Sequence, residues 1–234
     1  MQISELKDKG KVFQSQLLLQ LENVEHFSSM KETKEPEQNV WLPRQVHGTE
    51  IVIFSKEDNS PLPPFRSIEA DAVITDRVGL WIGVRTADCV PVLMCDNRQK
   101  VVAAIHAGWR GSVKHIVQKT VQTMKQHFGC QSDDLWAMIG PSISPDVYEV
   151  GEEVAQEFIS AGRADCIIRQ TKPHIDLWQS NVMDLLDEDI PLDHIDCSPL
   201  CTFLHSDLLY SARKEGIGTG RNVSAISLKV SRRV

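Results

Sequence analysis

The sequence predicts an α+β protein with mixed β-sheets. Four short apolar runs follow one another between residues 71 and 106, and Asp, Gly and Asn residues separate them, as is typical of buried strands. After residue 110, longer segments with helical spacing alternate with strand-like runs. Because strands occur both in succession and between helices, the pattern favours mixed sheets over a regular β-α-β series.

The first 40 residues differ from the rest, since they are rich in Lys, Glu and Gln. A strand or helix is expected at 12–21, followed by a solvated loop over 31–39. Residues 59–65 are expected to be a loop, because Pro and Ser dominate them. The apolar runs predict strands at 50–54, 71–75, 80–84, 90–95, 101–106, 135–139 and 223–228.

Four helices are expected, at 112–128, 151–161, 176–186 and 206–214. In the first, apolar residues from Val113 to Met124 repeat at helical spacing and predict a buried face, while His115 is expected to be solvated. Gly111 is expected to end the turn before this helix. No linker follows residue 40, so a single domain over 1–234 is expected.

Composition limits the function. The chain has 234 residues, 41% apolar and 24% charged, with a formal charge of −7, as in ordinary globular proteins. It has no long basic stripe to bind a nucleic-acid backbone and no apolar run of the roughly 18–20 residues that span a membrane. The polar start predicts no secretory signal, so we expect a cytoplasmic protein whose six cysteines stay reduced.

Three stretches carry soft, metal-binding side chains beside glycines and strand ends. They contain His47, Cys89 and His106 in the contexts Arg44-Gln45-Val46-His47-Gly48, Thr86-Ala87-Asp88-Cys89 and His106-Ala107-Gly108-Trp109-Arg110-Gly111. Two imidazoles and one thiolate form a three-ligand zinc set, which leaves one tetrahedral position open. Because catalytic zinc sites keep such a position, the set favours an enzyme over a zinc-stabilised structural domain.

Neighbouring polar residues are candidates for the chemistry. Asp88 has two open interpretations: its carboxylate orients a ligand imidazole, or it caps a turn. Arg44 and Arg221, with Gln45, are candidate phosphate or ribose contacts, although each arginine also suits a surface ion pair. Arg110 is expected to brace its turn through a buried carboxylate.

Six motifs in order resemble those of the multicopper-oxidase-related laccase-domain family, also called the YfiH or YlmD family. The motifs are Arg44-Gln45-Val46-His47-Gly48, Ala70-Asp71-Ala72, Thr86-Ala87-Asp88-Cys89-Val90-Pro91, His106-Ala107-Gly108-Trp109-Arg110-Gly111, Gly140-Pro141-Ser142-Ile143 and Thr219-Gly220-Arg221. The resemblance implies a layered α/β/β/α sandwich with mixed sheets, and a zinc site from His47, Cys89 and His106. It also implies phosphorolysis of adenosine, inosine, guanosine and methylthioadenosine, with adenosine deamination as a companion activity.

The sequence departs from the family pattern in two places. Members usually carry a Gly-Gly-x-Ser stretch and a later Ser-Leu-Asn stretch near the N-terminus. Here His26-Phe27-Ser28-Ser29 resembles the start of that region, but the remainder is missing, so the N-terminal portion 1–40 is expected to be shortened. Members also tend to have a Cys before the Tyr of a Tyr-Glu-Val stretch, where this chain has Val147 before Tyr148.

Other functions use the same residues. Two His and one Cys suit a blue-copper centre, but a copper polyphenol oxidase also needs a trinuclear cluster, and eight histidines without a His-x-His pair favour zinc over copper. A cysteine hydrolase would use Cys89 as its nucleophile and His106 or His47 as its base. A peptidoglycan editing factor and a non-catalytic ligand-binding protein remain open. The partners expected for the favoured enzyme are purine nucleosides and phosphate, bound by a monomer or homodimer. In this enzyme His47, Cys89 and His106 are the expected catalytic residues, and a zinc-bound species or Asp88 is expected to help the purine base leave.

Overall fold

The computed structural model describes residues 1–58 and 60–230, and within these ranges the chain forms fourteen strands and five α-helices. The strands are β1 (Gln2–Leu6), β2 (Gly10–Gln14), β3 (Val24–Ser29), β4 (Val40–Trp41), β5 (Ile51–Phe54), β6 (Ala72–Thr75), β7 (Trp81–Thr86), β8 (Val90–Asp96), β9 (Val101–Ala107), β10 (Leu135–Ile139), β11 (Ile167–Arg169), β12 (Pro173–Ile175), β13 (Ile195–Cys197) and β14 (Asn222–Leu228). The helices are α1 (Trp109–Ser112), α2 (Ile116–Phe128), α3 (Glu152–Ser160), α4 (Leu177–Leu186) and α5 (Ala212–Glu215).

Two six-stranded sheets dominate the fold. The first has the order β1-β2-β3-β14-β7-β4 and the second the order β13-β10-β8-β9-β6-β5, while β11 and β12 form a small separate hairpin. The first sheet is antiparallel except where β4 lies parallel to β7, and the second is antiparallel except for the pairs β10–β13 and β5–β6. The predicted α+β class with mixed sheets is therefore confirmed.

The central strand β9 shows why the sheets stack. Its side chains point alternately to the two faces, as the period of two in a strand requires. Ala103 and Ile105 join the cluster beneath the helices, whereas Val102 and Ala104 join the cluster between the two sheets. In that second cluster they meet residues of the first sheet such as Ile82. The whole strand is buried, which explains its almost continuous apolar sequence.

Helices α2, α3 and α4 pack on the second sheet and enclose the largest core cluster. Apolar residues on the far face of the first sheet, such as Val12 and Phe27, pack among strands and loops. Among the described residues, no helix has the length and apolar character to cross a lipid bilayer.

The helix predicted at 112–128 is wrong at its start. Helix α1 already contains Gly111 and ends at Ser112, and a turn follows before α2 begins at Ile116. At this turn His115 takes a left-handed conformation with φ 57°. Its Nδ1 lies 2.9 Å from an oxygen of the buried Asp184, so His115 is half-buried rather than solvated as predicted.

The helix predicted at 206–214 is also largely wrong, because only Ala212–Glu215 is α-helical. The preceding turns are held by Asn222, whose side chain accepts from the backbone N–H of Tyr210 and donates to its carbonyl. The polar N-terminal region contains β1 and β3, which were not predicted. Residues 12–21 contain the end of β2 and a short 3₁₀ turn, and Asn59, at the start of the predicted 59–65 loop, lies outside the described residues.

Candidate active site

The side chains of His47, Cys89 and His106 lie together, and their ligand atoms are all within 4.8 Å of one another. His106 stands near the end of β9, opposite Pro91 at the start of β8. Cys89 precedes β8 in the segment that leads from the first sheet to the second. His47 comes from the segment between β4 and β5. The end of β9 and two connecting segments thus bring the three predicted ligands together.

A single buried carboxylate positions both imidazoles. Asp71 accepts hydrogen bonds from the backbone N–H groups of Val46, His47 and Gly48, at 3.2, 3.0 and 2.7 Å. It also lies 2.7 Å from Nδ1 of His106. Since the carboxylate is an acceptor, it favours the tautomer with hydrogen on Nδ1, which leaves Nε2 of His106 available to a metal. These bonds also hold His47 in its left-handed conformation, with φ 59°.

Asp71 lies in the Ala70-Asp71-Ala72 motif, but no role was predicted for it; orienting an imidazole was one of two roles predicted for Asp88, and capping a turn was the other. In the structure, Asp88 accepts from the Thr202 hydroxyl at 2.7 Å and from the Arg213 backbone N–H at 2.6 Å. It therefore braces the turn before Cys89, with φ 89°, and makes no hydrogen bond to an imidazole among the described residues.

The electrostatics of the three side chains are coupled. Burial opposes ionisation of the Cys89 thiol, but the adjacent His106 and His47 outweigh it and lower the pKa of Cys89 to about 6. Burial likewise disfavours a charged His106, but Cys89 and Asp71 outweigh it and raise its pKa to about 9. A thiolate beside two imidazoles is a donor set that suits zinc.

Gly108 allows the close approach of the ligands. A Cβ atom at this position would lie 2.9 Å from Sγ of Cys89 and 3.2 Å from Cδ2 of His47. The His47 and His106 rings meet edge to face, with their centroids 4.8 Å apart. Only a residue without a side chain leaves this space open, which explains the glycine that follows His106-Ala107.

The three side chains line a cleft of about 530 Å³. Arg66, Arg85 and Arg221 line the same cleft. Burial lowers the pKa of Arg85, Glu37 opposes that effect, and the positive charges of Arg66 and Arg221 lower it further. The cleft therefore concentrates three guanidinium groups whose mutual repulsion an anion would relieve.

Two predicted substrate contacts, Gln45 and Arg221, line this cleft, and a third does not. The Gln45 amide bonds to both backbone groups of Arg85, at 2.8 Å each, and so fixes the arginine on its strand. Arg44 is absent from the cleft lining and forms an exposed ion pair with Glu69 at 2.8 Å. Sequence reasoning missed Arg66 and Arg85, although Arg85 directly precedes the noted Thr86–Cys89 motif.

Arg110 differs from its prediction. Its guanidinium carbon lies 4.3 Å from the centroid of the adjacent Trp109 ring, and the side chain is exposed. No carboxylate partner is found for it among the residues that the structure describes. Stacking on the indole therefore replaces the expected buried ion pair.

Within residues 1–58 and 60–230, His47, Cys89 and His106 are the one group of three or more His, Cys, Asp or Glu residues close enough to share a metal ion. Residues 21–229 match the family model of the multi-copper polyphenol oxidoreductase laccases, and the chain therefore belongs to that family. The multi-copper name describes the family, and the three-ligand group found here is the size of a single-ion site.

Curated relatives carry names that describe nucleoside chemistry. The chain is 40% identical over 201 residues to a purine nucleoside phosphorylase of Bacteroides thetaiotaomicron, which covers 82% of this chain and 74% of the relative. It is 34% identical over 203 residues to adenosine deaminase RL5 from an unknown prokaryotic organism, and this match covers 80% of this chain and 74% of the relative.

The fold matches a solved relative over nearly the full length of both chains. The crystal structure of the hypothetical protein YfiH of Bacillus licheniformis superimposes with a TM-score of 0.83, covering 97% of this chain and 99% of that one. The sequences are 22% identical over this match, so the comparison identifies the fold.

Proposed function

We propose that this protein is a zinc-dependent purine nucleoside phosphorylase that acts on adenosine, inosine, guanosine and methylthioadenosine, with adenosine deamination as a companion activity. The observation that carries the proposal is the single cleft that joins a His-Cys-His group to three arginines. The relatives named purine nucleoside phosphorylase and adenosine deaminase support both activities.

His47, Cys89 and His106 would hold the zinc. Their donor atoms are close enough for one ion, and the lowered pKa of Cys89 supplies a thiolate at neutral pH. A zinc ion held there would supply a Lewis acid and an open coordination position for water or substrate. The low histidine count and the single three-ligand group support zinc over a copper cluster.

Arg66, Arg85 and Arg221 would bind phosphate. In phosphorolysis a phosphate oxygen bonds to C1′ of the ribose while the C1′–N bond to the purine breaks. The purine leaves with the bonding electron pair and takes up the proton that the hydrogen phosphate loses, so the products are the free base and ribose 1-phosphate. The arginines hold the dianion against C1′ and balance its charge, which is the main electrostatic need of this reaction.

The first experiment separates the activities by their products. Purified protein is incubated with inosine or adenosine, with and without phosphate, and the products are resolved by chromatography. We expect hypoxanthine and ribose 1-phosphate from inosine only when phosphate is present, and inosine from adenosine in the deaminase reaction. His106→Ala should abolish both. Zinc-loaded protein that forms neither product would refute the proposal and favour a ligand-binding protein.

Metal analysis provides an independent test. We expect about one zinc per chain and little copper in protein made without added metal. Cys89→Ala should lose most of the zinc, while Cys197→Ala should retain it, because Cys197 is not part of the ligand group. A metal-free protein in which Cys89 is alkylated by a substrate analogue would instead favour the cysteine hydrolase, which uses the same thiolate and imidazoles.

A further inference from the structure

An exposed isoleucine stands at the mouth of the cleft. Ile217 is 85% exposed, the highest exposure among the large apolar side chains of the described residues, and it lines the cleft that contains Cys89 and His106. It lies in the segment 216–220, which links α5 to β14. Since so exposed a side chain contributes little to the core, the fold alone gives no reason for an apolar residue here.

The backbone of the segment is held by Arg221, while the space around its first two glycines is open. The Arg221 guanidinium donates to the carbonyls of Ile217 and Gly220, at 3.1 and 2.9 Å. Gly220 also packs against the Tyr210 ring so closely that a Cβ atom there would lie 2.5 Å from it. By contrast, a Cβ atom on Gly216 or Gly218, the two neighbours of Ile217, would meet nothing within 4 Å.

In the described part of the chain, the remaining cleft lining has no other large aliphatic side chain. Besides Ile217, its apolar side chains are the small ones of Pro43, Ala87 and Ala212, and charged or polar groups make up most of the rest. These groups suit the phosphate and the ribose hydroxyls. The planar base is the one part of a nucleoside that gains from apolar contact, and Ile217 is the one large aliphatic side chain of the lining.

We propose that Ile217 is a specificity residue whose side chain covers the purine ring of the nucleoside bound in this cleft. The inference rests on the proposed phosphorylase function. It assigns base recognition to the tip of the 216–220 segment, and it separates that task from phosphate binding by the arginines. Arg221 holds the Ile217 backbone, while the exposed side chain is free to change rotamer against bases of different substitution.

The test is a comparison of Michaelis constants. Ile217→Ala should raise KM for inosine about tenfold, equivalent to about 1.4 kcal/mol, since part of an isoleucine side chain is no longer buried on binding. The KM for phosphate and kcat should stay within about twofold. The KM of Ile217→Val for inosine should lie between the values of the wild type and of Ile217→Ala. Thermal unfolding should be unchanged, because the side chain is exposed. Leu192→Ala is the matched control, as Leu192 is 67% exposed and does not line the cleft.

Each outcome separates this inference from the function on which it rests. If the wild-type protein does not turn over inosine, the phosphorylase proposal fails, and inosine binding by calorimetry then decides whether Ile217 contacts the base. If the wild type is active and Ile217→Ala leaves KM for inosine unchanged, the inference is wrong. An equal rise in KM for phosphate would show that the segment positions Arg221 instead. A dimer that dissociates on substitution, seen by sedimentation, would make Ile217 a subunit contact.

Discussion

Replacing Asp71 by Asn tests whether one carboxylate supports the candidate metal site. Asp71 is completely buried and accepts from three backbone N–H groups and from the His106 ring. Asparagine has nearly the same size but only one acceptor oxygen, and its NH₂ group would face donors. The substitution therefore changes the hydrogen bonding while leaving the volume of the site nearly constant.

The magnitude follows from the bonds lost. An amide oxygen can keep two of the four donors, so two hydrogen bonds to a charged acceptor disappear, each contributing about 1.5–3 kcal/mol. We expect Asp71→Asn to lower the free energy of unfolding by about 3 kcal/mol or more. Because the carboxylate also orients His106 and the His47 backbone, zinc affinity should fall about 10–100-fold.

The pH dependence has a definite sign. Burial disfavours the Asp71 carboxylate, but the His106 and Gly48 hydrogen bonds outweigh it and lower its pKa. A carboxyl group whose pKa is lowered by folding stabilises the protein at pH values above its ordinary pKa. This contribution is lost as the pH falls through the pKa of the group in the folded state. The stability difference between wild type and Asp71→Asn should therefore be largest at neutral pH and shrink in acid.

Denaturant unfolding and a competition titration with a zinc chelator measure the two effects. The control is Asp88→Asn, because Asp88 is also buried but bonds to Thr202 and Arg213 rather than to an imidazole. It should cost stability but lower zinc affinity much less than Asp71→Asn does, because Asp88 holds the backbone before Cys89 and contacts no imidazole of the described residues. Wild-type zinc affinity in Asp71→Asn, or an equal loss of affinity in both variants, would refute the orienting role of Asp71.

In metal-free protein, the rate of Cys89 alkylation by iodoacetamide should reach half its maximum near pH 6, because the neighbouring imidazoles lower the thiol pKa. A midpoint near pH 8.5, the approximate pKa of an ordinary cysteine thiol, would contradict this expectation. Gly108→Ala should release zinc with little loss of fold, since the added Cβ meets Cys89. Gly83→Ala should instead lower the melting temperature and keep zinc, because its Cβ would lie 2.8 Å from a backbone oxygen. Atomic absorption measures the bound zinc, and calorimetry measures the melting temperature. Arg66→Ala should raise KM for phosphate about tenfold in steady-state kinetics, because Arg66 lines the cleft. Arg44→Ala should leave KM for phosphate unchanged, because it breaks only an exposed ion pair. An equal rise in KM in both variants would contradict the assignment of the anion site.

The three metal-ligand candidates could be identified from local sequence, because each stands beside a glycine or a strand end. Their supporting residues could not. Asp71 reaches His106 because β6 pairs with β9 in a register that sets Ala72 opposite Ile105. That pair joins residues 33 positions apart in the chain, and no local pattern specifies it. The local sequence around Cys89 left two interpretations of Asp88 open, and the partners that favour the turn-capping one, Thr202 and Arg213, lie far along the chain.

The same distinction applies to the fold. Buried strands such as β9 and β10 were predicted nearly to their ends, because apolar runs of this length allow few other structures. The break in the helix before α2 was not predicted, because the apolar spacing continues from Val113 to Ile116 across the turn. The bend is stabilised by contact between His115 and Asp184, which comes from α4. Strand β1 was missed because it is an exposed edge strand with a mostly polar sequence.

The candidate site has two separate supports. The backbone of Asp71 also accepts from the His106 N–H at 2.7 Å and donates to the Glu50 carbonyl at 2.9 Å, so both imidazoles depend on this one residue, which directly precedes β6 of the second sheet. Cys89 depends instead on Asp88 and its partners from the C-terminal third of the chain. A shared ion would join these two supports, which belong to the two parts of the chain, before and after helix α4, that line the arginine cleft. Metal binding should therefore order the cleft as well as supply chemistry to it.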